Sequence, residues 1–298
     1  MNNTQFLKAA LKETADAVES KLDKFLPLPD SGEKKLFEAM RYSLFAGGKR
    51  LRPFLVVAGA DLFDVDKGRA LRVACAIECI HTYSLIHDDL PAMDDDDLRR
   101  GKPTAHKAYG EATAILAGDG LQTLAFEILA DPKTHSDPHV RCDLISAIAK
   151  ASGIHGMVGG QMSDLAAEGK KLELGEVTRL QQMKTGALIS FSTDAGAILG
   201  KASKQKRHLL QGYAHDLGLA FQIADDLLDH EGTPEETGKA TQKDAKKGKA
   251  TFVSLMGAER ARQQAAMLAE QAISHLNDFG DKALLLRALA QYVVDRRK

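Results

Sequence analysis

Apolar residues recur at three- and four-residue intervals along nearly the whole chain, and this spacing constrains the fold more than any other feature. One such stripe runs through Leu7, Leu11, Ala15, Val18 and Leu22. These spacings place side chains on one face of an α-helix. No segment alternates apolar and polar residues between turn residues, as a half-buried strand would. The sequence therefore predicts an all-α protein.

Length and charge narrow the class of protein. The chain has 298 residues and no long flexible linker, so we expect a single domain over residues 1–298. The formal net charge of −1 lacks the basic excess that is typical of nucleic-acid-binding proteins. No apolar run approaches the ~18 residues of a membrane span, and the N-terminus lacks the layout of a signal peptide. With only three cysteines, we expect a cytoplasmic protein without a nucleic-acid partner or a membrane span.

Six aspartates fall within the ten residues 88–97, and two arginines follow them. Asp88 and Asp94 lie six residues apart, which is about 120° around an unbroken helix. Pro91 lies between them and should end or kink the helix, so the chain can double back and bring Asp94 towards a cation held by Asp88. Because the helix dipole disfavours acids at a C-terminus, we expect positive charge nearby.

A second acidic set, Asp225, Asp226 and Asp229, lies within the apolar segment FQIADDLLDH. Asp225 and Asp229 are one turn apart on one helix face, and Gln222 is on the same side. The core-type neighbours make a merely solvated acidic face the weaker interpretation. Crowded carboxylates need cations, and hard oxygen ligands suit Mg²⁺ together with substrate phosphates. The two motifs therefore predict a polyphosphate substrate held by metal ions.

Basic residues complement the two acidic motifs. The segment GGKRLRP places Lys49, Arg50 and Arg52 in a compact turn, and Arg99 and Arg100 close the first acidic run. Guanidinium groups suit bidentate phosphate contacts, and lysine supplies a point charge. No nucleophile elbow, Walker-type loop or dinucleotide-binding motif competes with this pattern. The combination favours ionisation of an apolar diphosphate in an apolar cavity.

These motifs occur together, and in the same order, in a known family. The segments HDDLPAMDDDDLRRGKPTAH (87–106), GGKRLRP (47–53), Lys184–Thr185, FQIADDLLD (221–229) and GK…KD…GKAT (238–251) resemble the trans-isoprenyl diphosphate synthases. The resemblance extends over nearly the whole chain. It implies a bundle of about ten core helices around a deep central cavity, the isoprenoid synthase type I fold, usually as a homodimer. It also implies head-to-tail addition of isopentenyl diphosphate (IPP) to an allylic diphosphate, such as dimethylallyl or geranyl diphosphate.

The resemblance implies a metal site between the two acidic motifs. Asp88 and Asp94 from one wall and Asp225 from the other would hold about three Mg²⁺ ions on the allylic diphosphate. The carboxylates that would support them are Asp89, Asp226 and Asp229.

Roles for the basic and polar residues also follow from the resemblance alone. The side chains that would bind the allylic diphosphate are Arg99, Lys184, Lys239 and Lys249. The side chains that would form a metal-free basic pocket for IPP are Lys49, Arg52, His81 and Arg100. Thr185 and Gln222 would lie beside the developing allylic cation, where their dipoles would stabilise it.

Tyr83 and Ser84 lie five and four residues before Asp88, roughly one turn further down the same helix. A tyrosine ring is large and rigid enough to close the floor of a pocket. An aromatic residue here, with a small residue beside it, resembles the pattern of family members that make a C15 product, so we expect farnesyl diphosphate. The alternative is that Tyr83 is a core aromatic that faces elsewhere.

Other functions remain open at this point. A geranylgeranyl or longer-chain synthase would use the same mechanism. A class I terpene cyclase shares metal-driven ionisation but lacks an IPP pocket such as Lys49 and Arg52 would make. A third alternative is a non-catalytic helical protein, either metal-binding or an inactive regulatory subunit. An inactive subunit would be expected to lose one acidic motif, and both motifs are complete here.

Overall fold

The chain is helical almost throughout in a computed structural model that describes residues 3–167, 169–231 and 250–295, which confirms the predicted all-α class. The α-helices in these ranges are α1 (Asn3–Phe25), α2 (Lys34–Leu44), α3 (Leu51–Asp61), α4 (Lys67–Asp88), α5 (Ala105–Tyr109), α6 (Glu111–Ala130), α7 (Pro138–Ser152), α8 (Met157–Ala167), α9 (Leu174–Gln181), α10 (Ala187–Leu199), α11 (Lys204–Glu231), α12 (Phe252–Met256), α13 (Ala258–Ser274) and α14 (Leu284–Asp295). A π-helical turn (Gln182–Gly186) joins α9 to α10, and a 3₁₀ turn (Asn277–Ala283) precedes α14.

Helix ends follow local sequence signals in several places. The carboxylate of Asp66 accepts a hydrogen bond from the backbone N–H of Arg69 and caps the start of α4. Asp137 caps α7 in the same way, and Pro138 occupies the first turn, where proline is tolerated. The connection between α10 and α11 is short, because α10 ends at Leu199 and α11 begins at Lys204.

Helices α4 and α10 form the centre of the bundle. Thirteen of the 22 residues of α4 and eleven of the 13 residues of α10 are buried. Burial on nearly every side means that other helices pack around both α4 and α10. The acidic end of α4 is therefore held in place by a rigid core. Cys75 and Cys79 of α4 are fully buried free thiols.

Two glycines allow α3 and α10 to cross closely. A Cβ atom on Gly196 would lie 2.2 Å from the backbone nitrogen of Ala60, and one on Gly59 would lie 2.8 Å from the carbonyl oxygen of Thr193. Any larger side chain at either position would push the two helices apart. This crossing fixes α3, whose first turn carries Arg52, against the centre of the bundle.

A two-stranded ribbon interrupts the helices between α4 and α5, and the helical periodicity of the sequence does not predict it. Strands β1 (Leu98–Arg99) and β2 (Lys102–Pro103) pair antiparallel. The turn between them consists of Arg100 and Gly101, both with positive φ (54° and 75°), as tight hairpins require. Strands of two residues are too short for an alternating pattern to show in the sequence.

Nowhere in the part of the chain that the structure describes is there a helix that combines the length and the apolar character needed to cross a bilayer.

Candidate active site

The first acidic motif forms a tight reversal at the end of α4. The helix ends at Asp88, and the backbone N–H of Asp94 donates to the carbonyl oxygen of Asp88 at 2.8 Å. The chain therefore doubles back after Pro91, as that proline predicts. Burial, together with nearby Asp94, raises the pKa of Asp88 to about 6, although Lys184 and Arg99 act in the opposite direction. Burial therefore disfavours the ionised form of this carboxyl group when no cation is bound to it.

Asp89 is buried and binds Arg99. The Arg99 Nε donates to both carboxylate oxygens of Asp89, at 3.1 and 3.2 Å, and Arg99 Nη2 donates to the same carboxylate. Asp89 therefore orients the guanidinium group that the resemblance assigns to the allylic diphosphate. The neighbouring Arg100 contacts a different part of the protein, because its Nη1 donates to the carbonyl oxygen of Gly47. The hairpin thus directs the two arginine side chains to different partners.

The four residues expected to bind IPP lie together. Lys49, Arg52, His81 and Arg100 all line a cavity of about 630 Å³, which Phe221 of α11 and Tyr292 of α14 also line. Arg52 Nη1 lies 3.4 Å from His81 Nε2. Burial, with a contribution from nearby Arg52, holds the pKa of His81 well below its usual range, so this histidine is neutral. The cavity is a site of concentrated positive charge at the start of α3.

Arg50 belongs to the same basic turn but has a structural role that the sequence pattern does not reveal. Its side chain is buried and pairs with buried Glu78 and with Glu19 at 2.9 Å, and it also donates to the carbonyl oxygen of Leu44. Its φ of 47° is left-handed, so these contacts hold the turn in a strained conformation. Arg50 thereby fixes the direction in which Lys49 and Arg52 leave the turn.

We expect the substitution Arg50→Met to lower the free energy of unfolding by about 3–5 kcal/mol, because it leaves the Glu78 carboxylate buried without its main partner. Chemical denaturation of the purified variant measures this loss. The double variant Arg50→Met, Glu78→Leu should recover part of the stability, since it removes both buried charges. A single variant that unfolds at the wild-type denaturant concentration would contradict this role for Arg50.

A second cavity of about 580 Å³ adjoins the first, and Arg52 and His81 line both. Its acidic end carries Asp88 together with Lys184 and Thr185. Its remaining wall is mostly apolar, from α4, α6, α8 and α10, and contains both Tyr83 and Ser84. The two residues expected to control product length therefore face this cavity rather than a closed core.

Lys184 and Thr185 lie on the π-helical turn before α10. Such turns often occur at functional sites, because they displace side chains from regular helical positions. Lys184 Nζ lies 2.6 Å from the carboxylate of Asp164 on α8, a partner that the sequence analysis does not identify. A Cβ atom on Gly160 would lie 2.3 Å from the backbone nitrogen of Lys184. Helix α8 thus supports this turn through a glycine contact and an ion pair.

The second acidic motif lies on the other side of Lys184 and Thr185. A third cavity, of about 170 Å³, is lined by these two residues and by Gln222 and Asp226 of α11. Gln222 Nε2 donates to Gln181 Oε1, which orients the Gln222 amide. Asp226 accepts a hydrogen bond from the backbone N–H of Phe252 at 2.8 Å and so also joins α11 to α12.

Asp225 lies close enough to Arg52 to interact with it electrostatically, and Arg52 lines both larger cavities. Asp229 follows one turn later on the same helix. Asp88 lines one of these cavities together with Arg52, so both acidic motifs come near Arg52, and a metal site shared between them stays a prediction. Lys239 and Lys249 lie outside the described residues.

The donor set fits Mg²⁺. Asp88, Asp94 and Asp225 offer hard oxygen ligands, and burial, the main cause of the raised pKa of Asp88, disfavours the ionised Asp88 carboxylate where no cation is bound. Among residues 3–167, 169–231 and 250–295, no three carboxylate, imidazole or thiol groups lie together at metal-binding spacing. An ion here would take its other oxygens from a diphosphate and from water, which is how Mg²⁺ commonly binds phosphate substrates.

The sequence was compared with protein-family models and with curated proteins. The family model for polyprenyl synthetase matches residues 33–291. A farnesyl diphosphate synthase from Geobacillus stearothermophilus is 46% identical over 96% of each chain. A geranylgeranyl diphosphate synthase from Cyanophora paradoxa is 43% identical over 96% of this chain and 95% of its own.

A solved structure is also similar. The ligand-free crystal structure of an FPP/GFPP synthase from Zymomonas mobilis has 54% sequence identity and a TM-score of 0.90, over 98% of this chain and 99% of that one. The match to the family model and the similarity to full-length relatives lead to one conclusion: the chain belongs to the polyprenyl synthetase family.

Proposed function

We propose that this protein is a Mg²⁺-dependent prenyltransferase that adds IPP to dimethylallyl and then geranyl diphosphate and releases farnesyl diphosphate. The observation that carries the proposal is the junction of two cavities at Arg52 and His81. One cavity is basic and suits the IPP diphosphate. The other is apolar with an acidic end at Asp88, which suits an allylic chain whose diphosphate is held by metal ions. Similar farnesyl diphosphate synthases support the assignment.

Ionisation of the allylic diphosphate would depend on positive charge around the leaving group. Magnesium, bound by Asp88, Asp94 and Asp225, would stabilise the negative charge on the departing diphosphate. Arg99 and Lys184 would add charge-assisted hydrogen bonds to the same group. Each of these bases already has a carboxylate partner that fixes its position. Little reorganisation is then needed when the carbon–oxygen bond breaks.

The rest of the reaction would depend on geometry and on the exclusion of water. Thr185 Oγ1 and the oriented amide of Gln222 would face the cation. The apolar wall would keep water from capturing it. Lys49, Arg52 and Arg100 would hold IPP so that its double bond attacks the cation, forming a carbon–carbon bond. The new carbon–carbon bond leaves a cation on the former IPP unit. Loss of a proton from that unit restores a neutral hydrocarbon chain, and we assign the released diphosphate as the group that accepts the proton.

An incubation of purified protein with Mg²⁺, dimethylallyl diphosphate and labelled IPP tests the proposal. We expect a labelled C15 alcohol after the product is dephosphorylated, and no product when a chelator removes the metal. Absence of product with both substrates and Mg²⁺ would contradict the enzymatic function. A C20 product would favour the geranylgeranyl alternative, which the similarity to a geranylgeranyl diphosphate synthase keeps open.

Tyr83 is the residue that we propose sets the product length. It is 5% exposed, lines the apolar cavity, and packs edge-to-face against His87 with ring centroids 5.6 Å apart. Its hydroxyl is buried without a hydrogen-bond partner in the described structure. The ring rather than the hydroxyl is therefore the functional part, because it blocks further extension of the chain.

We expect Tyr83→Ala to lengthen the product to C20 or beyond, because removal of the ring opens the floor of the cavity. Chain-length analysis of the product measures the change. Tyr83→Phe is the matched control: it keeps the ring, so it should still make the C15 product. If Tyr83→Ala stays active and still stops at C15, another residue sets the length.

We also propose that the protein is a homodimer whose interface covers an exposed apolar face on α6 and α8. Leu116 is 56% exposed and Met162 is 60% exposed. Exposed Ile115, Val158 and Met162 line the apolar cavity as well. An apolar face of this kind is typical of an interface. A second copy placed on it would also close the cavity to water, which the allylic cation requires.

The double substitution Leu116→Glu, Met162→Glu should convert the dimer to a monomer, because it places charges within the interface. Sedimentation at micromolar concentration measures the mass. Met267→Glu, which changes an exposed methionine of α13, should leave the dimer intact. A wild-type protein that sediments as a monomer would contradict the proposal.

A further inference from the structure

Gln161 of α8 has a buried amide group that nothing in the described structure binds. The residue is 8% exposed, and neither its Oε1 nor its Nε2 has a hydrogen-bond partner. Buried polar side chains in native proteins are nearly always hydrogen-bonded, so each exception needs an explanation. Methionine, which has a similar size and no polar group that needs a partner, would fit an apolar wall at lower cost.

The Gln161 side chain lines the apolar cavity proposed for the allylic chain, and the two polar atoms of its amide lie within the cavity wall with almost no exposed surface. Met157, Gln161 and Leu165 all line that cavity, and they are four residues apart, so they share one face of α8. Gln161 is the polar member of this otherwise apolar face. A substrate in the cavity would meet the amide once the side chain turns towards the open space, and it would then complete its hydrogen bonds or respond to its dipole.

The position along α8 indicates which part of a substrate Gln161 would meet. Asp164 lies three residues later and pairs with Lys184, which we propose binds the allylic diphosphate. Three residues of an α-helix span about 4.5 Å. Gln161 therefore lies roughly one turn below the diphosphate, in the direction of Met157 and the apolar floor. At that depth the group beside it would be the allylic carbon unit, where positive charge develops.

We propose that Gln161 is a further catalytic residue, whose amide oxygen contacts the allylic unit and stabilises its cation. The inference rests on the proposed prenyltransferase function and adds one group to it. An amide in a cavity without water exerts its full dipole on a cation, because no solvent screens it. Gln161 also differs from Gln222, whose amide is already oriented by Gln181. The Gln161 amide can turn its oxygen towards the cation as the charge appears.

The variant Gln161→Met tests this role, with kcat, the KM for IPP and the melting temperature of the unliganded protein as readouts. We expect kcat to fall about tenfold or more, because a dipole that acts on the transition state is lost. The KM for IPP should stay within about threefold of wild type, since IPP binds in the other cavity. The melting temperature should not fall, because the substitution removes a buried amide without a protein partner.

Three results would overturn the inference. One is an unchanged kcat, and another is a raised KM for IPP with normal kcat, which would place Gln161 in the basic pocket. The third is a melting temperature lower by about 5 °C or more, which would show that the amide has a structural partner. Ser163→Ala, an exposed change on the same helix, is the control and should behave as wild type. Absence of product from the wild-type enzyme in this assay would instead contradict the proposed function itself.

Discussion

The substitution Asp88→Asn should lower kcat by about 1,000-fold or more, which corresponds to roughly 4 kcal/mol of transition-state stabilisation. Asparagine keeps the size of the side chain but loses the charge, and a neutral amide is a poor ligand for a hard cation. The leaving diphosphate would then lose part of the positive charge that stabilises it. Steady-state kinetics at saturating Mg²⁺ and both substrates measure the effect.

Asp95→Asn is the matched control. Asp95 belongs to the same acidic run, but its side chain is exposed and its φ is 50°, a backbone conformation that asparagine tolerates well. The two variants remove the same charge from neighbouring positions. We expect Asp95→Asn to keep kcat within about threefold of wild type. Equal losses in the two variants would show that total charge, and not a ligand at Asp88, controls the rate.

The unliganded stability of Asp88→Asn should change in the opposite direction to its activity. The pKa of Asp88 is raised to about 6 from the usual 3.8, mainly by burial. The folded carboxyl group thus binds its proton more tightly than the unfolded one, and its ionisation costs stability as the pH rises from about 4 to 6. Asparagine avoids that cost. Denaturation without metal should show a variant that is more stable by on the order of 2 kcal/mol above pH 6 and unchanged at pH 4.

The substitution Arg52→Met should raise the KM for IPP by about 100-fold while kcat at saturating IPP stays within a few fold of wild type. Burial lowers the pKa of Arg52, although nearby Glu78 and Asp225 act in the opposite direction, so an incoming anion would stabilise a guanidinium group that has lost much of its hydration. A charge-assisted hydrogen bond to a diphosphate contributes about 1.5–3 kcal/mol. Its loss should weaken IPP binding specifically.

Thermal denaturation with and without IPP distinguishes a binding role for Arg52 from a structural one. We expect the unliganded Arg52→Met variant to melt near the wild-type temperature and to lose the stabilisation that IPP gives the wild type. Arg260→Met, which changes an exposed arginine of α13, should retain it. A variant that still gains full stabilisation from IPP would remove Arg52 from the pocket. Arg50→Met should behave differently, because we expect that variant to have a lower free energy of unfolding even without IPP.

The reversal after α4 shows how far local sequence signals extend. Asp88, Pro91 and Asp94 lie close together in the chain, and a proline three residues after Asp88 must end the helix. The observed bond from Asp94 N–H to the Asp88 carbonyl oxygen is the result. Local signals do not indicate the pairing of Arg99 with Asp89, because it depends on a ribbon of two-residue strands.

The basic turn shows where local signals end. Arg50 and Arg52 have the same side chain, lie two residues apart and line the same cavity, yet only Arg50 is tied by hydrogen bonds to two carboxylates. The difference comes from Glu19 on α1 and Glu78 on α4, which approach Arg50 only in the folded chain. The same holds for Asp164, whose ion pair with Lys184 joins residues 20 positions apart.

The sequence by itself determined the helical class, the positions of some helix ends and the segments that carry charge, because periodicity, caps and prolines act within a few residues. Tertiary structure alone decided which charges meet. It placed two cavities side by side at Arg52 and His81, and it left the Gln161 amide without a partner in an apolar wall. Such contacts join residues far apart in the chain, and their geometry depends on how whole helices cross.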